Sequence, residues 1–279
     1  MLGLGNIIVC MKSMLFGLSA MLLTCWGCGT ASAQDWAKAK LEKSPRHGEW
    51  VEVKNGARKV RCFVVYPEVK EAAPSVIVIH EIFGLSDWVR GVADQLAAAG
   101  CIAIAPDLLS GAGPKGGGTA DFGGVDDVRN AIFKLPPDQI TGDLDAVADY
   151  VKALPSANGK LAAAGFCWGG GQTFHFACHR ADLKAACVFY GPPPTEAKEM
   201  EKIKCPVYGF YGGNDNRISA TIPKTVELMK AAGKTYEPVT YEGAGHGFMR
   251  AGEQPDAQEA NKKARDAAWE RLKSALGKL

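Results

Sequence analysis

The chain has almost no surplus of charge. Its 279 residues carry 32 lysines and arginines against 30 aspartates and glutamates, a formal +2. Without a basic stripe, recognition of nucleic acid or of an anionic membrane surface has no electrostatic basis, and the expected partner is a small molecule. Metal-ligand spacing is missing too. The only Cys-x-x-Cys is Cys25 to Cys28, and His175 and His179, four apart on one helical face, have no evident third ligand, so packing or surface placement is the simpler reading. No metal and no cofactor is implied. Long apolar runs are also lacking. The N-terminal stretch Met14 to Leu23 is interrupted by Gly17 and Ser19 and followed by Thr24, whereas a permanent span needs about 20 apolar residues.

That stretch has another reading. Lys12 supplies a positive start, Met14 to Leu23 an apolar middle, and Ala31-Ser-Ala33 a small-residue cleavage site, with Met11 a candidate start. Residues 1–33 are therefore expected to be a secretory signal peptide and residues 34–279 the exported domain, periplasmic or secreted. Cys25 and Cys28 have poor lead-ins for lipidation. Cleavage leaves Cys62, Cys101, Cys167, Cys178, Cys187 and Cys205, whose pairing sequence alone does not settle.

Strand-like and helix-like segments alternate through the rest. Trp50 to Val53 and Val60 to Val65 flank Asn55-Gly56 and predict an antiparallel hairpin. Val76–Ile79, Cys101–Ala105, Leu161–Ala164, Ala185–Tyr190 and Val207–Tyr211 are short unbroken apolar runs, as expected of parallel strands covered on both faces. Between them lie helical stripes: Val89, Val92, Ala93 and Leu96; Leu144, Val147, Ala148 and Val151; Ala264, Ala268 and Leu272. The fold expected is α/β, a mainly parallel doubly wound sheet with an N-terminal antiparallel hairpin. Ser110 to Gly124, rich in glycine, reads either as a mobile rim over a pocket or as a plain surface loop. Trp88, Phe122 and Tyr190 are candidates to shape that pocket.

"GFCWGGG", Gly165 to Gly171, follows one of the apolar runs. A Gly-x-Cys-x-Gly between strand and helix makes a sharp turn that thrusts the cysteine into a cleft, with Gly165 and Gly169 allowing close approach. The amino end of the helix beginning near Trp168 favours a thiolate at Cys167. Alone, the pattern also fits a packing elbow around a buried thiol. Asp215 in "YGGNDNRIS" and His246 in "YEGAGHGF" then follow further strands, in the order nucleophile, acid, histidine of α/β hydrolases. A lone loop aspartate is usually a turn former, but a histidine between two glycines is hard to explain by packing. "VIVIHEIFGL", Val76 to Leu85, ends an early strand where that fold places an oxyanion donor, so the backbone N–H groups of Ile82 and Trp168 are the expected oxyanion hole. Neither Ser110 nor Ser219 has an elbow around it.

In these motifs the chain resembles the dienelactone hydrolase family of α/β hydrolases, from roughly the hairpin to the last helix. The resemblance implies Cys167 as nucleophile, His246 as base and Asp215 as its orienting partner. It implies that Glu81 contacts the thiol and takes its proton when substrate binds, and that Arg250 binds a substrate carboxylate. Read without the family, Glu81 is a strand cap and Arg250 a solvated charge. One departure stands out: family members acting on dienelactone carry a second carboxylate-binding arginine after a Pro-Asp-Leu element, and Pro106 to Gly111 has none. The expected reaction is hydrolysis of a small ester or lactone through a thioester on Cys167. The alternative is a non-catalytic ligand-binding or redox-sensing protein on the same fold.

Overall fold

The computed structural model describes residues 34–279; the signal peptide expected over residues 1–33 lies outside the described residues. Eight strands form one sheet: β1 Gly48–Asn55, β2 Arg58–Val65, β3 Ala73–Ile79, β4 Ile102–Pro106, β5 Ala157–Phe166, β6 Leu183–Phe189, β7 Val207–Gly212 and β8 Tyr236–Tyr241. Their order is β1-β2-β4-β3-β5-β6-β7-β8. β2 is antiparallel to β1 and β4, and every other neighbouring pair is parallel. The expected α/β-hydrolase architecture with its leading hairpin is what the chain adopts. The hairpin loop falls one residue later than Asn55-Gly56, because Asn55 pairs with Arg58 and leaves Gly56 and Ala57 outside the ladder. Gly56, at φ +58°, takes the position that a side chain would strain.

The unbroken apolar runs are explained by two-sided burial. Val76 and Val78 of β3 face one core, Ile77 and Ile79 the other, and all four are fully buried. The helices follow in chain order as α1 Asp35–Leu41, α2 Asp87–Ala98, α3 Val125–Ile132, α4 Pro137–Lys152, α5 Trp168–His179, α6 Ala197–Met200, α7 Asn216–Ser219, α8 Ile222–Ala231, α9 Phe248–Ala251 and α10 Glu259–Leu276. The first core takes Val89, Val92 and Leu96 of α2 and Ala268 and Leu272 of α10. The second takes Leu144, Val147 and Val151 of α4 and Phe174 of α5. Each such valine or leucine removed from water contributes about 2 kcal/mol, so the two apolar stripes hold the helices against the sheet. Among the described residues no helix is long and apolar enough to cross a membrane.

The topology positions the site. From β3 the chain moves outward to β4, then returns to add β5 on the other side of β3. Such a reversal opens a crevice at the carboxyl ends of the strands. The loops after β3 and β5, which carry Glu81-Ile82 and Cys167-Trp168, meet there.

The glycine-rich segment is tied to its surroundings by hydrogen bonds. It holds two 3-10 turns, Pro114–Gly116 and Thr119–Asp121. The Thr119 N–H and hydroxyl donate to the Asp107 carboxylate at 2.8 and 2.7 Å, and the same hydroxyl accepts from the Leu85 N–H at 3.1 Å. Phe122 packs on the small cluster of Leu109, Val128 and Ile132. Asp107, from the Pro-Asp-Leu element, is thus an anchor that pins the segment to the loop after β3.

Candidate active site

Between the end of β5 at Phe166 and the start of α5 at Trp168, Cys167 alone makes the turn, at φ 57° and ψ −116°. For a residue with a Cβ this region costs about 1–3 kcal/mol. Packing enforces it. A Cβ on Gly165 would lie 2.1 Å from the Gly169 carbonyl oxygen, and one on Gly169 would lie 2.4 Å from the carbonyl oxygens of Ile79 and His80. Backbone therefore packs directly on backbone where β3, β5 and α5 converge, which is the physical content of the glycine spacing. The Cys167 N–H donates to the Phe189 carbonyl at 3.0 Å and ties the elbow to β6.

The backbone N–H groups of Trp168 and Ile82 pull the Cys167 thiol down. They belong to α5 and to the loop after β3. The Trp168 indole stacks on the buried His80 ring at 5.4 Å, and His80 Nδ1 bonds the Glu81 carbonyl at 2.8 Å. That stack braces the two donor loops against each other. The thiol itself is not a ready thiolate. Burial, and next the Glu81 charge, push it up to about 11, while the two N–H donors and Arg217 pull it down by less. The N–H group at the helix amino end pulls toward the thiolate, and desolvation outweighs it.

His246 stands between this sulfur and Asp215. Its Nε2 is 3.1 Å from Cys167 Sγ and its Nδ1 is 2.5 Å from Asp215 Oδ2. With Nδ1–H donating to the carboxylate, Nε2 is left with its lone pair toward the thiol, whose S–H donates to it. Asp215 uses its other oxygen to accept the Ile218 N–H at 3.4 Å, capping α7. Tyr190 is fully buried and packs edge-on against the imidazole at 5.1 Å. It backs the histidine and does not line the cavity, contrary to expectation. Trp88 is also corrected: it lies in the core, edge-on to Phe166 at 5.0 Å.

A second charged arrangement lies beside the first. The Glu81 carboxylate, 2% exposed, accepts from Arg250 Nε at 2.8 Å, and the guanidinium lies 4.8 Å from the centre of the Phe83 ring. Burial raises Glu81 above the ordinary carboxylate range, and Arg250 opposes that shift. The expected contact between Glu81 and the thiol is not formed among the described residues; Glu81 acts on the sulfur by its charge, with its hydrogen bond given to Arg250. Arg250 nevertheless lines the same cavity, of about 420 Å³.

Phe83, Phe133, Pro192 and Arg217 complete the walls and were not read from the sequence as site residues. Phe83 and Arg217 lie inside motifs already singled out, "HEIFGL" and "NDNRIS", so proximity was the available signal. Phe133 and Pro192 lie outside every motif. A neighbouring cavity of about 480 Å³ shares Phe133 and Trp168 and has His175 and His179 on its wall. His179 is bonded to Asp145 at 2.7 Å, and His175 is 3.9 Å from Glu199. Ser110 and Ser219 donate their hydroxyls to the carbonyls of Asp107 and Gly212. All six described cysteines are free, and five of them are buried.

A model of the dienelactone hydrolase family matches residues 60–279. A candidate carboxymethylenebutenolidase of Saccharolobus solfataricus is 31% identical over 254 residues, covering 79% of this chain and 95% of the relative. One of Salmonella typhimurium is 34% identical over 223 residues, covering 76% and 80%. One of Methylorubrum extorquens is 34% identical over 187 residues, and there the alignment spans 63% of each chain. The crystal structure of a candidate dienelactone hydrolase from Klebsiella pneumoniae superposes with a TM-score of 0.74 at 26% identity, covering 84% of this chain and 99% of that one. The family match starts in β2 and runs to the carboxyl terminus, taking in every strand that carries the site; this chain is a member of the dienelactone hydrolase family.

Proposed function

We propose that the protein hydrolyses a small ester or lactone through Cys167, His246 and Asp215. The observation that carries this reading is the chain of contacts through the imidazole, with His246 Nε2 3.1 Å from the Cys167 sulfur and Nδ1 2.5 Å from the Asp215 carboxylate.

The steps follow from the charge state of the thiol. With Cys167 pushed up to about 11, the resting group is S–H, and its proton passes to His246 Nε2 as sulfur attacks the carbonyl carbon. Asp215 holds the ring in place and stabilises the imidazolium. The oxyanion occupies the space before the two N–H groups, and losing one such donor typically costs about 3 kcal/mol of transition-state stabilisation. On collapse the C–O bond breaks, and the leaving oxygen takes the proton from His246. Water then attacks the thioester, giving a proton to His246. Expulsion of the sulfur, with return of that proton, frees the acid and restores the thiol. Glu81 assists: a substrate carboxylate that draws Arg250 away would leave Glu81 as a second acceptor for the thiol proton. Export after removal of residues 1–33 belongs to the same proposal and rests on the leader pattern alone.

The test is intact-protein mass spectrometry of reduced protein mixed with p-nitrophenyl acetate, wild type beside Cys167→Ala, with nitrophenol release followed in parallel. A transient acetyl adduct with continuing turnover, both lost in the variant, is expected. Release that ignores the substitution would overturn the scheme.

A further inference from the structure

Past Cys167, α5 carries a polar stripe that the chemistry at the sulfur does not use. Trp168, Gln172, His175 and His179 are spaced four, three and four apart, so they share one face of the helix. That face lines the neighbouring cavity of about 480 Å³. It runs from the residue beside the nucleophile to the last turn, roughly 16 Å along the axis at 1.5 Å per residue. The facing walls come from the end of α3 at Ile132 and Phe133, from Leu135, and from Ile140 and Thr141 of α4. A cavity of this size with mixed aromatic and polar walls suits a small organic ligand.

It is continuous with the reacting centre. Phe133 and Trp168 line both this cavity and the one that holds Cys167, and Phe133, at the junction, leaves 65% of its surface uncovered by protein. The character of the walls changes along the helix. At the Trp168 end they are apolar, because Ile132, Leu135 and Trp168 pack in one cluster. Farther along stand Gln172 and Thr141, half-buried and with side chains that have no hydrogen-bond partner among the described residues. The charges beyond them are matched: His179 lies 2.7 Å from Asp145, and the Glu199 carboxylate, 3.9 Å from His175, shares the wall with the Lys202 ammonium. The far end thus offers hydrogen bonds and no net charge.

The chemistry decides which arm of an ester reaches this space. The leaving oxygen takes its proton from His246, so the alcohol arm lies along the wall of His246, Gly247 and Arg250, none of which lines the second cavity. The other substituent of the carbonyl is left the side of Trp168 and Phe133. We propose that the second cavity is an acyl subsite: it takes the distal part of the acyl group, an extended uncharged chain, apolar next to the scissile carbonyl and ending in a neutral hydrogen-bonding group such as an amide or hydroxyl. This rests on the hydrolase reading and specifies its substrate class. Gln172 and Thr141 meet the polar end, and the apolar cluster at Trp168 covers the chain.

The experiment compares kcat/KM for p-nitrophenyl acetate, p-nitrophenyl octanoate and p-nitrophenyl suberamate, whose long acyl chain ends in an amide. Wild type is set beside Thr141→Trp and His175→Trp, which fill the cavity from two facing walls, and Gln172→Leu. Wild type should favour suberamate over acetate at least tenfold. In both filled variants that ratio is expected to fall about ten- to a hundredfold, carried mainly by KM, as for two or three methylenes kept out of an apolar site. Gln172→Leu should lower suberamate relative to octanoate about three- to tenfold, as for one lost hydrogen bond. Ratios within twofold of wild type in both filled variants overturn the proposal, as does an equal loss on all three esters. A filled variant that spares suberamate but loses octyl acetate would place the alcohol arm there instead and also overturn it. Wild type that cleaves none of the esters defeats the hydrolase reading. Calorimetric titration with suberamide, a neutral diamide, then still decides the cavity: affinity at least tenfold weaker in both filled variants supports binding of the uncharged chain, and equal affinity removes it.

Discussion

Two carboxylates flank the same sulfur and are used in opposite ways. Asp215 spends one oxygen on α7 and the other on His246, whose far nitrogen reaches Cys167. Glu81 is more deeply buried, accepts its hydrogen bond from Arg250 and acts on the sulfur only by its field. The first acid organises a base; the second adds to the burial that keeps the thiol protonated. The difference teaches that carboxylates near a nucleophile are told apart by partner and desolvation, not by proximity.

Substitutions on the Asp215 side should have the largest effects. His246→Ala removes the only group placed to take the thiol proton in the resting site, and kcat on p-nitrophenyl acetate should fall about 10³- to 10⁴-fold with KM little changed. Steady-state kinetics at pH 7.5 checks it, and a loss below tenfold would show that another base serves. Arg250→Gln breaks the other side differently. It strands Glu81 in a buried position, and removal of one member of a buried pair typically costs about 3–5 kcal/mol. Thermal unfolding should show the loss, and Glu81→Gln with Arg250→Gln should recover most of it; no recovery would mean that Arg250 supports the fold through its contact with Phe83.

The charge state of the sulfur sharpens the same contrast. A thiol raised to about 11 is protonated across the neutral range, so alkylation of Cys167 by iodoacetamide should be slow at pH 7.5 and climb without a plateau up to about pH 11. Removing the negative charge in Glu81→Gln lowers the thiol pKa, increases the thiolate fraction and should speed alkylation several-fold at pH 8. A profile levelling near pH 7 would contradict the assignment. The smallest effect is conformational. Cys167→Gly and Cys167→Ala both lack sulfur, but only alanine keeps a Cβ at φ 57°, so the glycine variant should be more stable by about 1 kcal/mol. Unfolding midpoints should differ by roughly 2–4 °C for a chain of this size.

Much of the fold was legible because burial on both faces writes itself as unbroken apolar runs, as in Val76–Ile79 and Leu161–Ala164. The elbow was legible because only glycine at positions 165 and 169 avoids the clashes now measured there. α3 was hidden: its first turn, Val125-Asp-Asp-Val128, follows a glycine run, and the whole helix buries only Val128 and Ile132. The pairing of Glu81 with Arg250 joins residues far apart in the chain and has no local signature. The glycine-rich segment could be read two ways because its hydrogen bonds go to Asp107, outside it.

The two N–H groups proposed to hold the oxyanion bear on how the molecule acquires its chemistry. Ile82 and Trp168 follow β3 and β5, which are neighbours in the sheet yet separated in the chain by α2, β4, α3 and α4. Local elements such as α5 form early, whereas parallel pairing across so long an excursion carries a heavy loop-closure cost and comes late. A chain in which β3 and β5 have not yet joined can own α5 and an accessible thiol and still be unable to stabilise an oxyanion. Refolding should therefore pass through a stage at which Cys167 reacts readily with alkylating reagents while ester turnover is absent, and the return of turnover is a clock for closure of the central pair of strands.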